Sequence, residues 1–419
     1  MKTPNKKFKN STLCTHCGYC LPVCPTYKTL NDETQSPRGR ISIILALSKG
    51  EISPDEASSV LSTCLVCRSC HSACPVGVRP AKLVLSARIL SPLKSSLTAT
   101  LLHSITNNHR LTALASRSIQ LYQNSGLQGW LRQKNALSFF SPLQRLESLI
   151  PARRSEPIPA FPTKQPGDTN TLKAALLCGC MARLFHPRTA PSTANLLKLL
   201  NIEITVLDGF GCCGSPFRES GNRKLFIKQA KKTLDAYIKI PEVDMVLCDT
   251  SVCMVTVRSY GRVLSADKKY AATAKKFSEK IQHLEVLLAN RLPELTPEGY
   301  QPPDNSITFQ DHCQTQHGLG TKKEPRQLLK TIAGPLSELP RAENCCGAGG
   351  DYMLRYQELS SKIRLDKLAA IDESGAKTVV GCNSGCLLNI EAGLTERHSK
   401  VKTMHLSEIL WQSLSKVVK

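Results

Sequence analysis

The chain has 419 residues, nineteen of them cysteine, and its 55 lysines and arginines outnumber 33 aspartates and glutamates to give a formal net charge of +22. That length holds roughly two to four domains and a substantial core, which excludes a small disulfide-stapled scaffold. An odd, high cysteine count points to metal ligation in a reducing compartment. The basic residues are spread along the chain with no aromatic platform among them, so no nucleic acid partner is expected. No apolar run approaches the roughly 18 residues of a spanning helix, so no transmembrane segment is expected. The basic start MKTPNKKFKNST has no apolar h-region behind it. The expected location is cytoplasmic, with any membrane contact peripheral on the inner membrane.

Cys14 to Pro25 reads CTHCGYCLPVCP, four thiols spaced C-x2-C-x2-C-x3-C with a proline after the last. Adding 50 to each position gives Cys64, Cys67, Cys70, Cys74 and Pro75, in CLVCRSCHSACP, without a slip in register. This run is the bacterial ferredoxin signature for a [4Fe-4S] cluster, in which three close thiolates hold one cluster and the fourth reaches the other. The assignment is Cys14, Cys17, Cys20 and Cys74 for one cluster, and Cys64, Cys67, Cys70 and Cys24 for its neighbour. Structural zinc more often uses paired CxxC knuckles. Cys67 to His71 also fits the CxxCH pattern of c-type haem attachment, but the first copy has Leu21 where His71 stands.

Between the loops, Pro37-Arg38-Gly39-Arg40 reads as a turn leading into a short helix. Arg38 and Arg40 are candidates to hydrogen-bond to cluster sulfides or a partner, with solvated side chains as the plainer reading. From Ser91 to about Ile150, Leu97, Leu101 and Ile105, then Leu111, Leu114 and Ile119, recur at helical spacing. The stripe is expected to be core packed on the cluster domain, with a membrane or partner surface as the alternative. Pro151 to Gly167, with five prolines and a glycine, reads as a linker.

Beyond it lies a second duplication. Cys180, Cys212, Cys213 and Cys253 become, on adding 133, Cys313, Cys345, Cys346 and Cys386, and both doublets continue as CCG with Gly214 and Gly347. Each copy ends near a His-Leu helix, HLEVLLA from His283 and HLSEILW from His405, offset by a short insertion. Each reads as alternating strand and helix, which suggests small parallel α/β units with every repeated thiol at or beyond a strand's carboxyl end. The eight registered thiols are candidate metal ligands, for a further iron-sulfur cluster or zinc. Cys178, Cys248 and Cys382 fall outside the register and read as buried small side chains or auxiliary thiols. Gly209 to Gly214, GFGCCG, formally fits GxGxxG, with Asp235 downstream as a ribose-binding acid. The duplicate reads AENCCG, so the cysteine pair is repeated and the glycines are not. The expected fold class is α+β and multi-domain: a helical two-cluster ferredoxin domain at 1–93, a helical segment and linker at 94–170, and tandem α/β CCG units at 171–300 and 301–419.

With CPTY from Cys24, the pair Asp32-Glu33 followed by SPRGRI from Ser36, and two CCG units in one chain, the sequence resembles the iron-sulfur subunit of bacterial glycolate oxidase over nearly its full length. The final segment, CNSGCLLNI to MHLSEIL, is also similar to the CCG protein of bacterial lactate utilisation, and the CCG units resemble those of heterodisulfide-reductase-B-like proteins. In the latter, CCG motifs hold noncubane iron-sulfur clusters and close with CxxC; here four residues separate Cys248 from Cys253, and three separate Cys382 from Cys386. The resemblance implies an electron-transfer subunit of a flavin-linked 2-hydroxy acid dehydrogenase, with flavin and catalytic base on partner subunits and no catalytic residue here. Electrons would pass towards a quinone or another membrane acceptor. The alternative it implies is a subunit whose CCG half carries its own catalytic metal centre.

Overall fold

The computed structural model describes residues 6–94, 96–134, 136–137, 144, 147–151, 158–162, 171–303 and 306–417. Most of the expected linker, at 152–157 and 163–167, lies outside the described residues.

The amino-terminal region is helical. Helix Pro37–Lys49 packs against helices Pro54–Leu61 and Pro80–Arg88 around Ile41, Ile44, Leu61 and Val84. The expected turn at Pro37 is instead the first turn of the helix: proline suits that position, and the Ser36 hydroxyl accepts from the Gly39 N–H. Gly39 lets this turn lie against the preceding segment, since a Cβ there would come within 2.0 Å of the Glu33 carbonyl oxygen.

Helices Leu97–Thr106, His109–Asn124 and Leu127–Gln133 follow as the spacing predicts, but their apolar stripe is not core. Leu97 is 91% exposed, Leu114 63% and Leu121 71%, and Leu101, Leu111 and Trp130 are exposed too. The buried face is made of Ala99, Thr106, Thr112 and Ser116. Small side chains allow the helices to lie close on helix Cys180–Phe185, and this turns the leucines outward.

Each carboxy-terminal unit is built on a parallel sheet. In the first, strands β1 (Leu172–Leu177), β2 (Ile202–Val206) and β3 (Met245–Cys248) pair in the order β2-β1-β3, and Val246 adds a single parallel bridge to Ile281. In the second, β4 (Ile307–Phe309), β5 (Thr378–Gly381) and β6 (Lys402–His405) pair in that order, and Ile307 bridges to Leu336. The strand that is full in one copy is thus a bridge in the other. The segment read as a His-Leu helix at His405 is strand up to that residue and helix from Leu406.

Helix Thr189–Leu199 packs on helix Leu406–Leu414, and helix Leu284–Arg291 packs on helix Glu324–Leu328. Each contact joins an early helix of one copy to the last α-helix of the other, the reciprocal pattern of a two-fold dimer. One apolar core, including Leu176, Leu247, Leu288, Phe309, Leu329 and Leu410, runs across both units. The strand ends meet as well: the Ser251 N–H donates to the Cys382 carbonyl at 3.2 Å. The loops beyond the strands of both units therefore converge on one place.

Candidate iron-sulfur centres

The two ferredoxin loops have the same local geometry. His16 and Gly18 in the first, and Val66 and Arg68 in the second, take left-handed backbone angles at equivalent positions. Repeated reversals of this kind turn successive thiols inward within a few residues. Cys24, Cys64, Cys67 and Cys70 line one small cavity beneath helix Pro37–Lys49, so the fourth thiol of the first loop joins three of the second. Cys14 and Cys74 both pack on the core around Ile44 and Val84, Cys20 is half-buried with its thiol raised by burial, and Cys17 is exposed.

Arg40 is 2% exposed and stands over the Cys24 end of that cavity. Its guanidinium donates to the Gln35 carbonyl at 2.6 Å, to Thr26 Oγ1 at 3.0 Å and, more weakly, to Cys24 Sγ at 3.9 Å. Of the two arginines singled out from sequence, this one reaches a ligand thiol. Arg38 pairs with Glu33 at 2.6 Å and donates to the His16 carbonyl. Arg88, also buried, donates to the carbonyls of Leu61 and Cys64 and to that of Glu219, tying the second loop to the first CCG unit.

A second cavity, of about 100 Å³, lies where the units converge, and all eight registered thiols line it: Cys180, Cys212, Cys213 and Cys253 from one unit, Cys313, Cys345, Cys346 and Cys386 from the other. Gly214 and Gly347 sit in the left-handed region, and each N–H points back at the first thiol of its doublet, 3.4 Å from Cys212 Sγ and from Cys345 Sγ. Cys67 lines this cavity as well as the one holding Cys24, Cys64 and Cys70, and so forms the wall between them. Leu65, Cys67 and Tyr352 pack together there with Cys313 and Cys345.

The donor chemistry fits iron. A hydrogen bond with Cys212 and then burial push the Cys180 thiol well above the ordinary value; a hydrogen bond with Cys346 and then burial do the same to Cys345. Burial and the neighbouring Cys345 raise Cys67 to about 12. Such thiols keep their protons unless a metal replaces them. Among the described residues no three donors are drawn in around a single ion; the thiols are ranged around a void.

Cys178 and Cys382 lie in the shared core and Cys248 in the core of the first unit, and none of the three lines the thiol cavity. The GFGCCG loop is closed to a nucleotide, because a Cβ at Gly211 would meet the Asn107 carbonyl at 2.5 Å, and Asp235 accepts a hydrogen bond from Tyr270. Sequence reasoning missed three titratable groups at the cavity wall. Glu219 is buried, raised by burial, and accepts from the Ser215 hydroxyl at 3.1 Å; His103 lies 3.8 Å from Asp351. Glu219 follows the first CCG by only five residues, but nothing in its local pattern marks it as buried.

Residues 10–78 match the family described as "4Fe-4S dicluster domain", and residues 174–258 and 307–391 each match the family described as "Cysteine-rich domain". Fold and sites thus define an iron-sulfur protein of the oxidoreductase-subunit class. A "Probable glycolate oxidase iron-sulfur subunit" of Bacillus subtilis (strain 168) is 32% identical over 415 residues, covering 96% of this chain and 93% of its own. The "Glycolate oxidase iron-sulfur subunit" of Escherichia coli (strain K12) is 26% identical over 412 residues, covering 96% and 94%. "Lactate utilization protein A" of Bacillus subtilis (strain 168) is 30% identical over 241 residues, 57% of this chain and 99% of that one. The chain belongs to the family of glycolate oxidase iron-sulfur subunits.

Proposed function

We propose that the chain is the electron-carrying subunit of a flavin-linked 2-hydroxy acid dehydrogenase of the glycolate type. It takes electrons from a flavin-bearing partner subunit and passes them towards a quinone. In this reading Cys14, Cys17, Cys20 and Cys74 hold one [4Fe-4S] cluster, Cys64, Cys67, Cys70 and Cys24 hold a second, and the eight CCG thiols hold a further iron-sulfur centre. Iron-sulfur centres bound there supply one-electron redox chemistry, which divides the two electrons released together by a flavin.

The observation that carries the reading is the double role of Cys67, which lines both the second ferredoxin cavity and the CCG cavity. Leu65 and Tyr352 pack on Cys67 at the junction, while Arg40 and Arg88 fix the loop from behind. A void ringed by thiols suits a polynuclear core better than one zinc ion. No helix among the described residues is long and apolar enough to cross a membrane. The outward leucine face of residues 97–133 contains no aspartate or glutamate, and this supports a peripheral seat on an anionic bilayer.

The test is anaerobic purification followed by iron analysis and reduction assays. The expected result is about eight irons in two cubanes, with additional iron for the CCG centre, all reduced by glycolate only when the flavin subunit is present. An iron-free chain, or one that oxidises glycolate alone, would overturn the reading.

A further inference from the structure

A third concavity, of about 800 Å³, opens on the other side of the second ferredoxin loop, between that loop, helix Ser251–Val257 with the segment after it, and the segment around His317. Its charged lining is entirely basic: Arg68, Arg79, Lys82, Arg218, Arg258 and Arg262. Arg258 donates to His283. The other five make no side-chain hydrogen bond or ion pair among the described residues. The nearest carboxylate in sequence, Glu219, lines the thiol cavity and not this groove.

Two of these cations form the half-buried floor and the rest form an exposed rim. Burial and the nearby Arg68 pull Arg218 down to about 10, burial lowers Arg68, and the buried Glu219, on the side of the thiol cavity, is a carboxylate whose charge acts on both from behind the groove. His71 and His317 add no charge of their own, because burial lowers both; His71 accepts from the Ala81 N–H and His317 bonds to Ser72. Arg68 also occupies a costly backbone position. It is left-handed with φ 68, and its counterpart fifty residues earlier is Gly18 with φ 87. The second loop thus places a long cation where the first uses the one residue that takes this geometry without strain.

We propose that this groove binds a small polyanion carrying two or more phosphate or carboxylate groups. Its volume lies in the range of ligand pockets, roughly 300–1,000 Å³. Guanidiniums arriving from the ferredoxin loop and from the first CCG unit grip such groups by paired N–H donation. The ligand bridges these two parts of the chain beside the Cys67 junction.

The test is calorimetric titration of the iron-loaded, full-length chain at low ionic strength, with inorganic pyrophosphate in one arm and citrate in the other. Saturable binding is expected, weakened at least tenfold by Arg68→Gly, which copies the first loop and relieves the backbone, and by Arg218→Met. Rim variants Lys82→Gln and Arg262→Gln should each weaken it about threefold, with iron content and visible spectrum unchanged. Binding of pyrophosphate alone assigns a phosphate ligand, and binding of citrate alone a carboxylate one. No binding of either anion to iron-replete protein, or binding undiminished in Arg68→Gly, would overturn the proposal. So would loss of all anion binding on assembly with the flavin-bearing partner, which would mark the groove as a seat for an acidic protein face.

Discussion

The two CCG units share their thiol loops and differ in what surrounds them. In both, a left-handed glycine turns its N–H onto the first cysteine of the doublet at 3.4 Å. Behind the first unit's loop, the Tyr260 hydroxyl donates to the Cys213 carbonyl, and Leu234 fills the core. At the same offset of 133 the second unit has Gly393 and Lys367. There Asn389 caps the Cys346 carbonyl at 2.7 Å, and the buried Lys367 amine donates to the Ala342 carbonyl at 2.8 Å. Among the described residues, the CCG thiols that pack with Leu65, Cys67 and Tyr352 at the ferredoxin junction are Cys313 and Cys345, both of the second unit. Duplication has kept the donors and changed the charge and neighbours around them, so the two halves of one cavity are not electronically equivalent.

The largest expected effect breaks that asymmetry at the junction. Cys313→Ala removes a thiol that touches the Cys67 wall, whereas Cys180→Ala removes its counterpart on the far side. With the proposed complex assembled, Cys313→Ala is expected to lower glycolate-to-quinone turnover on the order of 100-fold. The flavin should still reduce the ferredoxin clusters. Cys180→Ala should instead leave electrons able to reach the second unit, visible as a reduced CCG signal, and lower turnover by less. Equal behaviour of the two variants would remove the idea that electrons cross the Cys67 junction into the second unit before the first.

Next in size is the tether to the first unit. Arg88 is buried and its guanidinium serves carbonyls of Leu61, Ser62, Cys64 and Glu219. Arg88→Ala leaves these acceptors dry and is expected to cost about 4 kcal/mol in denaturant unfolding. The second unit holds the same loop by apolar contact through Leu65 and Tyr352. Leu65→Ala should therefore cost less than Arg88→Ala.

Much of this was legible in the sequence because it rests on covalent spacing. The offsets of 50 and 133 marked the twelve thiols that line the two cavities, and alternating apolar segments located β1 to β5. What escaped depends on which face a helix turns inward. The leucines at 97, 101, 111 and 114 have the period of a core stripe, yet the small residues Ala99, Thr112 and Ser116 face the protein because close packing requires little side chain there. Strand β6 escaped because His405 both ends a strand and caps the following helix, its ring accepting from the Ser407 N–H at 3.2 Å. The joining of the two units around one cavity comes from reciprocal helix packing, which neither copy encodes alone.

The units should also separate by pH. In the first, burial raises the Asp249 carboxyl from 3.8 to about 6; Oδ1 accepts from the Gly179 N–H at 2.7 Å, while Oδ2 is buried without a partner. The folded chain therefore binds this proton more tightly than the unfolded one. Stability from this group is complete below pH 4 and is lost as pH rises to about 6, a change of about 3 kcal/mol. The second unit has Cys382 at the equivalent position, and there His312 accepts from the Cys382 N–H at 2.8 Å, with burial lowering its pKa to about 3. Its sign is opposite: stability is complete above the ordinary histidine value and is lost as pH falls towards 3. Asp249→Asn keeps the Gly179 contact and should flatten the slope between pH 4 and 6 in urea midpoints, leaving the acid-side loss in place.

The smallest effect sharpens the comparison most directly. Burial lowers the Lys367 amine to about 8, so it is charged at neutral pH, with Cys346 and Cys345 among the thiols nearest to it in effect. A fixed positive charge near an iron-sulfur centre favours the more negative, reduced state and so raises its potential. Lys367→Met keeps the length of the side chain and removes the charge, matching the apolar Leu234 of the first unit. The potential of the CCG centre should then fall on the order of 60 mV, the equivalent of tenfold for one electron, while the ferredoxin potentials stay fixed. Since a buried amine costs desolvation, unfolding stability should hold or rise, so a lower potential cannot be put down to a loosened fold. An unchanged potential would mean that the two units differ in neighbours alone, and that the direction of electron flow is set by the Cys67 junction without help from charge.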